Sequence, residues 1–232
     1  MFHCPAHSVR IHDLLEIDAS VFISGNASAP EWVEEVLRKS PFVVVRRGRA
    51  TDQEIPIGVR GAERNQRWPA FCHPAWVKTI LTPPQLLTRT VPTLRAGAIP
   101  ALRALQVLKD RWRNVDHPWG PGGSVGFELA TGIHVVKPES DLDIVIYAEG
   151  KITREEARSL YDLTVNLSAA VDIRVETLAC GFSLTEYARG GSAGMLLRTP
   201  DGLELGNDPW SYEFSMEDRG RGVGGRLNVP WA

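Results

Sequence analysis

The stretch Ser140-Asp141-Leu142-Asp143-Ile144-Val145-Ile146 decides how this chain is read. Leu142, Ile144 and Ile146 alternate with Asp141, Asp143 and Val145, a two-residue period that marks a half-buried β-strand. On such a strand Asp141 and Asp143 point to the same face, about 6.5–7 Å apart at ~3.3 Å per residue. Two carboxylates so placed repel each other, and a half-buried strand tolerates them when a cation lies between or beside them. Carboxylate oxygen is the donor that a hard ion such as Mg²⁺ selects.

Downstream, Gly150 ends the strand, and Thr153-Arg154-Glu155-Glu156 has the spacing of a capping box in which Thr153 and Glu156 satisfy free amides at a helix start. Leu160, Leu163, Thr164, Leu167 and Val171 continue a helical stripe, and Val171-Asp172-Ile173-Arg174-Val175-Glu176 resumes alternation. The order is therefore strand, helix, strand. It lets Asp172 return beside the first strand and join the same metal site, with Glu176 further along the same face. Upstream, Pro118-Trp119-Gly120-Pro121-Gly122-Gly123 reads as a loop that stops the helix Ala101–Trp112. In Gly122-Gly123-Ser124 the glycines let backbone amides approach a phosphate, and the serine adds a hydroxyl. Ser124 to Leu129 reads as the start of a short helix whose N-terminus favours anions.

Further out, Pro30–Leu37 has a helical pattern, Pro41–Arg46 and Ile55–Arg60 read as paired strands, and 195–198 with 203–205 as a hairpin about the Pro200-Asp201-Gly202 turn. A proline-bearing stretch around Leu81–Pro92 separates an N-terminal α+β domain, 1–82, from a second domain, 83–232. The expected fold class is thus α+β: a mixed sheet with helices, preceded by a small α+β domain. The tail Arg219–Arg226 is rich in Gly and Arg.

With 26 Lys and Arg against 28 Asp and Glu, the chain carries no global basic field, so nucleic acid is not an expected partner. The three cysteines, Cys4, Cys72 and Cys180, follow no ligand or disulfide spacing, and the six histidines form no cluster. No apolar run reaches the ~18 residues of a membrane span. The Met1-Phe2-His3-Cys4-Pro5 start is unlike a signal peptide, so a cytoplasmic protein without membrane contact is expected. Arg60, Arg64 and Arg67, near Arg46, Arg47 and Arg49, read either as a phosphate-binding set, as a docking surface for an acidic partner, or as a solvated basic loop. Lys137, between the glycine loop and the acidic strand, is a further possible phosphate contact.

Gly-Ser, an acidic pair on a strand, then a third acid on a later strand is an order that resembles the nucleotidyltransferase superfamily related to polymerase β. The longer gap here holds Phe127-Glu128-Leu129-Ala130-Thr131-Gly132. Together with Gly123-Ser124 and Ser140-Asp141-Leu142-Asp143, that segment looks like the phosphoribosyl-dephospho-CoA transferase family, the holo-acyl-carrier-protein synthases of malonate decarboxylase. Ile55-Pro56-Ile57-Gly58-Val59-Arg60-Gly61 with Arg64, Gln66 and Arg67, and Leu196-Leu197-Arg198-Thr199, are similar to that family too. The resemblance implies a nucleotidyltransferase (polymerase β-like) fold for 83–232, and substrate or carrier-protein binding by 1–82. It implies transfer of 2′-(5″-triphosphoribosyl)-3′-dephospho-CoA to a serine of the malonate decarboxylase acyl carrier protein, with release of pyrophosphate. In that reading Asp141, Asp143 and Asp172 are catalytic and hold Mg²⁺. Gly122, Gly123, Ser124, Lys137, Arg60, Arg64 and Arg67 bind substrate. Two alternatives stay open: an ATP-dependent nucleotidyltransferase acting on a small molecule, RNA or protein, and a nucleotide-binding module without catalysis.

Overall fold

A computed structural model describes residues 9–212, apart from 27, 52, 64 and 191–193. Arg64, Cys4 and the Gly/Arg-rich tail lie outside the described residues. Two compact units meet in sequence between Thr82 and Pro83. Both mix helix and sheet, so the chain is α+β.

The first unit contains β1 (Leu14–Ile17), α1 (Ala19–Gly25), α2 (Glu31–Lys39), β2 (Phe42–Val45), β3 (Ile55–Arg60), β4 (Arg67–Cys72) and β5 (Val77–Leu81). Its sheet runs β4-β3-β2-β1-β5 with every neighbouring pair antiparallel. Alternate residues Ile55, Ile57 and Val59 point inward and meet Phe22 of α1 and Val33 and Leu37 of α2. Glu31 and Glu34 in the first turn of α2, and Arg38 and Lys39 in the last, complement its dipole. Pro69 sits in β4, an edge strand, where a missing amide donor costs least. The β3–β4 pairing sets Arg60 directly opposite Arg67.

Asp13, one residue ahead of β1, is fully buried. Its Oδ2 accepts a 2.7 Å hydrogen bond from the Arg10 amide, while Oδ1 has no partner among the described residues. Burial pushes its pKa from 3.8 up to about 7, against the opposing pull of the Arg10 amide and charge.

The second unit contains α3 (Pro83–Leu86), α4 (Thr93–Ala98), α5 (Pro100–Arg111), β6 (Trp119–Pro121), α6 (Gly123–Thr131), β7 (Leu142–Tyr147), α7 (Arg154–Asp162), β8 (Val171–Glu176), β9 (Gly181–Ser183), α8 (Leu184–Arg189), β10 (Met195–Thr199) and β11 (Gly202–Gly206). The sheet order is β11-β10-β9-β8-β7-β6. Only β7 and β8 run parallel, joined by the α7 crossover, and every other adjacent pair is antiparallel. Leu142, Ile144 and Ile146 of β7 and Ile173 and Val175 of β8 face one core. That core also takes Leu102, Leu105 and Leu108 of α5 and Ala157 and Leu160 of α7. No described helix is long and apolar enough to cross a membrane.

Three local expectations need correction. Pro118–Gly123 is not all loop, because Trp119–Pro121 pairs with β7 as an edge strand. The prolines hid this from a propensity reading, yet an edge position has no need of their missing donors. The helical stripe after Thr153 stops at Asp162 and does not reach Leu167, and the chain turns through Asn166 at φ 61°. The capping box is half made: Thr153 Oγ1 accepts from the Glu156 amide at 3.1 Å, but the Glu156 carboxylate turns to His117 Nε2 at 3.0 Å.

The Asp13 carboxyl gives the first prediction. Its pKa is higher folded than unfolded, so the folded state holds the extra proton between pH 3.8 and about 7. Stability should therefore fall as pH rises through that window. Asp13→Asn keeps an acceptor for the Arg10 amide and has no charge to bury. In thermal melts it should flatten this decline and raise the midpoint above pH 7. A wild-type midpoint that rises with pH across the window would contradict the assignment.

Candidate functional site

The parallel register pairs Asp143 with Asp172, Val145 with Arg174 and Tyr147 with Glu176. These six residues share the sheet face opposite the core described above, since strand side chains alternate. Neighbouring strands lie about 4.8 Å apart, so Asp143 and Asp172 stand side by side as two like charges. Asp143 is half-buried and Asp172 exposed. Asp141 precedes β7 by one residue and is exposed.

The glycine loop lies against this acidic row. Gly122 donates its amide to the Asp143 carbonyl at 2.9 Å. A Cβ on Gly122 would lie 3.3 Å from Val145 Cγ2 and 3.9 Å from Asp143 Cβ. Gly123 is tighter still. Its φ is +54°, and a Cβ there would fall 1.8 Å from Asp143 Oδ2, inside the carboxylate. Only glycine allows both the dihedral and the approach. From Gly123 the chain enters α6, whose N-cap, Gly122, has no side chain to occupy the helix start. Ser124 follows in the first turn, half-buried. A helix N-terminus thus abuts the Asp143 carboxylate, with Asp172 on the next strand, and the arrangement suits a phosphate with a cation between them.

Glu128, one helical turn further on, explains why α6 and the loop after it hold their place. Its carboxylate receives Arg95 Nε at 2.8 Å and a second Arg95 nitrogen at 3.0 Å, a bidentate pair. It also accepts the amides of Val135 and Val136 at 2.9 and 2.8 Å, while Arg95 reaches the Val136 carbonyl at 2.7 Å. Burial alone would raise the Glu128 pKa, but Arg95 and the two amides outweigh it and hold the carboxyl below its ordinary range. The pair pins α4, α6 and the segment leading into β7. Sequence reading quoted Glu128 as part of a motif without seeing this role, and Arg95, on a short proline-flanked helix, gave no signal.

The structure therefore brings Asp143, Asp172, Gly122 and Gly123 together. Lys137 lies in the turn closed by Ser140, whose hydroxyl accepts the Lys137 amide at 3.0 Å, and its side chain is exposed. Arg60 and Arg67 are exposed residues of the first unit. Among the described residues no group of three or more His, Cys, Asp or Glu is close enough to hold a metal ion as the side chains stand. The donors that the face does offer are carboxylate oxygens, the chemistry Mg²⁺ prefers. One residue of the face was overlooked altogether: Arg174, between the two acidic positions of β8, whose side chain is 17% exposed.

Known proteins match this chain over most of its length. Residues 10–83 match the family described as phosphoribosyl-dephospho-CoA transferase MdcG N-terminal domain, and 89–209 its C-terminal domain. A relative from Pseudomonas fluorescens, named phosphoribosyl-dephospho-CoA transferase, is 36% identical over 200 residues, 86% of this chain and 93% of that protein. Proteins of the same name from Pseudomonas aeruginosa and Klebsiella pneumoniae are 35% and 34% identical, covering 86% and 88% of this chain and 92% and 97% of their own. No solved structure matches.

Gly123→Ala should test the close approach. Forcing a methyl to within 1.8 Å of Asp143 Oδ2 must displace the carboxylate or the loop. The backbone strain and clash should cost about 1–3 kcal/mol of stability. Turnover should fall much further, because the displaced groups are those of the acidic row. An alanine variant with wild-type melting and wild-type activity would show that the approach is unimportant.

Proposed function

This chain belongs to the phosphoribosyl-dephospho-CoA transferase family, and from that membership we propose that it loads the acyl carrier protein of malonate decarboxylase. The donor is 2′-(5″-triphosphoribosyl)-3′-dephospho-CoA. A serine Oγ of the carrier attacks the α-phosphorus, a new P–O bond forms, the bond to the leaving pyrophosphate breaks, and the serine proton departs. The observation that supports this best is the in-register pair Asp143 and Asp172 beside the Gly122-Gly123 approach. We read the second unit as a nucleotidyltransferase (polymerase β-like) fold on the same ground.

Asp143 and Asp172, with Asp141 ahead of them, are the residues that would hold Mg²⁺. When bound, the ion supplies charge neutralisation for the attacking and leaving oxygens. Asp172, the more exposed of the paired carboxylates, is assigned to take the serine proton. The Gly123 amide and the Ser124 hydroxyl are assigned to the donor's terminal phosphates, aided by the N-terminal end of α6. The Gly122 amide, expected to join them, is instead taken by the Asp143 carbonyl, so Gly122 contributes the room its missing side chain leaves. Lys137 is assigned a supporting phosphate contact. In the first unit, Arg60, Arg64 and Arg67 are assigned to anionic partners, either donor phosphates or the acidic carrier. Arg60 and Arg67 stand directly opposite each other on β3 and β4, which gathers two guanidinium groups at one place. The cytoplasm, where the thiols of Cys72 and Cys180 remain reduced, is the compartment proposed.

Mass spectrometry of the apo carrier after incubation with the chain, the triphosphoribosyl donor and Mg²⁺ tests the reading. The carrier should gain the phosphoribosyl-dephospho-CoA group, pyrophosphate should appear, and chelation of Mg²⁺ should stop both. AMP transfer from ATP, with the triphosphoribosyl donor inert, would overturn the assignment in favour of an ATP-dependent enzyme. Asp143→Asn should lower turnover at least about a hundredfold with the circular dichroism unchanged. Retained turnover would remove Asp143 from the chemistry.

A further inference from the structure

Arg174 stands at the middle of the acidic face. On β8 its neighbours in register are Val145 of β7 on one side and Ser183 of β9 on the other, so its stem is flanked by strands. Its side chain is 17% exposed. One guanidinium nitrogen, Nη2, lies 3.4 Å from Asp172 Oδ2, longer than the ~2.7–2.9 Å of a strong charge-assisted bond. The other, Nη1, is buried and has no hydrogen-bond partner among the described residues. An arginine cannot shed its proton to escape such a position, so the vacancy calls for a hydrogen-bond acceptor, and an anionic one suits a cation best.

The surroundings say which anion. The side chain projects from the same face as Asp143 and Asp172. Val145, its neighbour across the strand pair, is also what a Cβ on Gly122 would touch, at 3.3 Å. Val145 thus lies between Arg174 and the glycine loop, so the arginine stands one strand away from the helix start on the same face. A planar fork with one engaged and one vacant nitrogen, next to backbone that favours anions, suits the oxygens of a phosphate chain. We propose that Arg174 binds the pyrophosphate portion of the donor and holds the negative charge that develops there as it leaves. This rests on the reading of the face as a phosphoryl-transfer site, and it adds a residue that neither the sequence pattern nor the family comparison singled out. No bond to Arg174 is made or broken: the electron pair of the cleaved P–O bond stays with pyrophosphate, and the arginine accepts no proton.

Calorimetric titration of the full chain with inorganic pyrophosphate and Mg²⁺ tests it directly, using Arg174→Gln and Arg174→Met beside the wild type. The methionine is unbranched and leaves no buried polar orphan, so it is expected to fold even where glutamine does not. Both should bind pyrophosphate at least about tenfold more weakly, the worth of one charge-assisted hydrogen bond. The KM for the triphosphoribosyl donor should rise by a similar factor, with the melting temperature of the methionine variant held or raised. A purely structural arginine predicts the reverse, a lower melting temperature with unchanged pyrophosphate affinity, and that result would overturn the proposal. Should pyrophosphate binding depend on Arg174 while no group reaches the carrier, the donor assignment falls and the arginine stands. Should transfer proceed with pyrophosphate affinity and donor KM unchanged in Arg174→Met, the arginine falls alone.

Discussion

Two carboxylates in register on adjacent parallel strands are the constraint around which the second unit is built. Asp143 and Asp172 are brought opposite each other by the β7–β8 pairing, and their separation is fixed by the sheet. The two backbone positions cannot part without slipping the register. A one-residue slip would turn Leu142, Ile144 and Ile146 away from their core. Hydrophobic burial on one face therefore enforces electrostatic crowding on the other. The residues Ile173 and Val175 apply the same lock to β8.

A site of this kind depends on backbone as much as on side chains. Gly123 brings its α-carbon to the Asp143 carboxylate in a conformation closed to other residues, and Gly122 keeps the loop bonded to the strand. Such an approach holds only if α6 is anchored behind it. The Arg95–Glu128 pair does this with five hydrogen bonds radiating from one buried locus. A lost partner in a buried pair costs about 3–5 kcal/mol because the other charge is stranded. Neither partner can therefore be removed alone without disturbing α6, and the pair also fixes the chain that enters β7. The segment between Ser124 and Asp141 is the one that this pair secures.

Much of this was legible from spacing. Alternation at Leu142–Ile146 and Val171–Val175 identified both strands, and the intervening helix implied the parallel return that pairs Asp143 with Asp172. The glycines before Ser124 pointed to a close backbone approach, although which atom they approach is a tertiary fact. What periodicity missed has physical causes. Trp119–Pro121 is a strand only because β7 offers an edge to pair with. Glu128 sits on a helix whose sequence does not reveal that Arg95, 33 positions earlier, will meet it. Arg174 looked like an ordinary outward residue of an alternating strand, since its burial comes from neighbours on both sides of the sheet order.

Among the described residues two buried ionisable groups have an unsatisfied atom, and they resolve the problem differently. Asp13 is fully inaccessible, so no ligand can reach its vacant oxygen, and the group answers by retaining a proton, its pKa rising to about 7. Neutralisation is open to a carboxylate because its ordinary value lies only a few pH units below neutrality. Arg174 has no such option, as a guanidinium stays charged at any pH a protein survives. Its vacant Nη1 is as buried as the Asp13 oxygen, but the side chain as a whole is 17% exposed beside an Asp172 that is itself 53% exposed. The same defect is therefore met by a proton at the carboxylate, whereas the guanidinium can be satisfied only by an acceptor toward which the exposed part of its side chain turns.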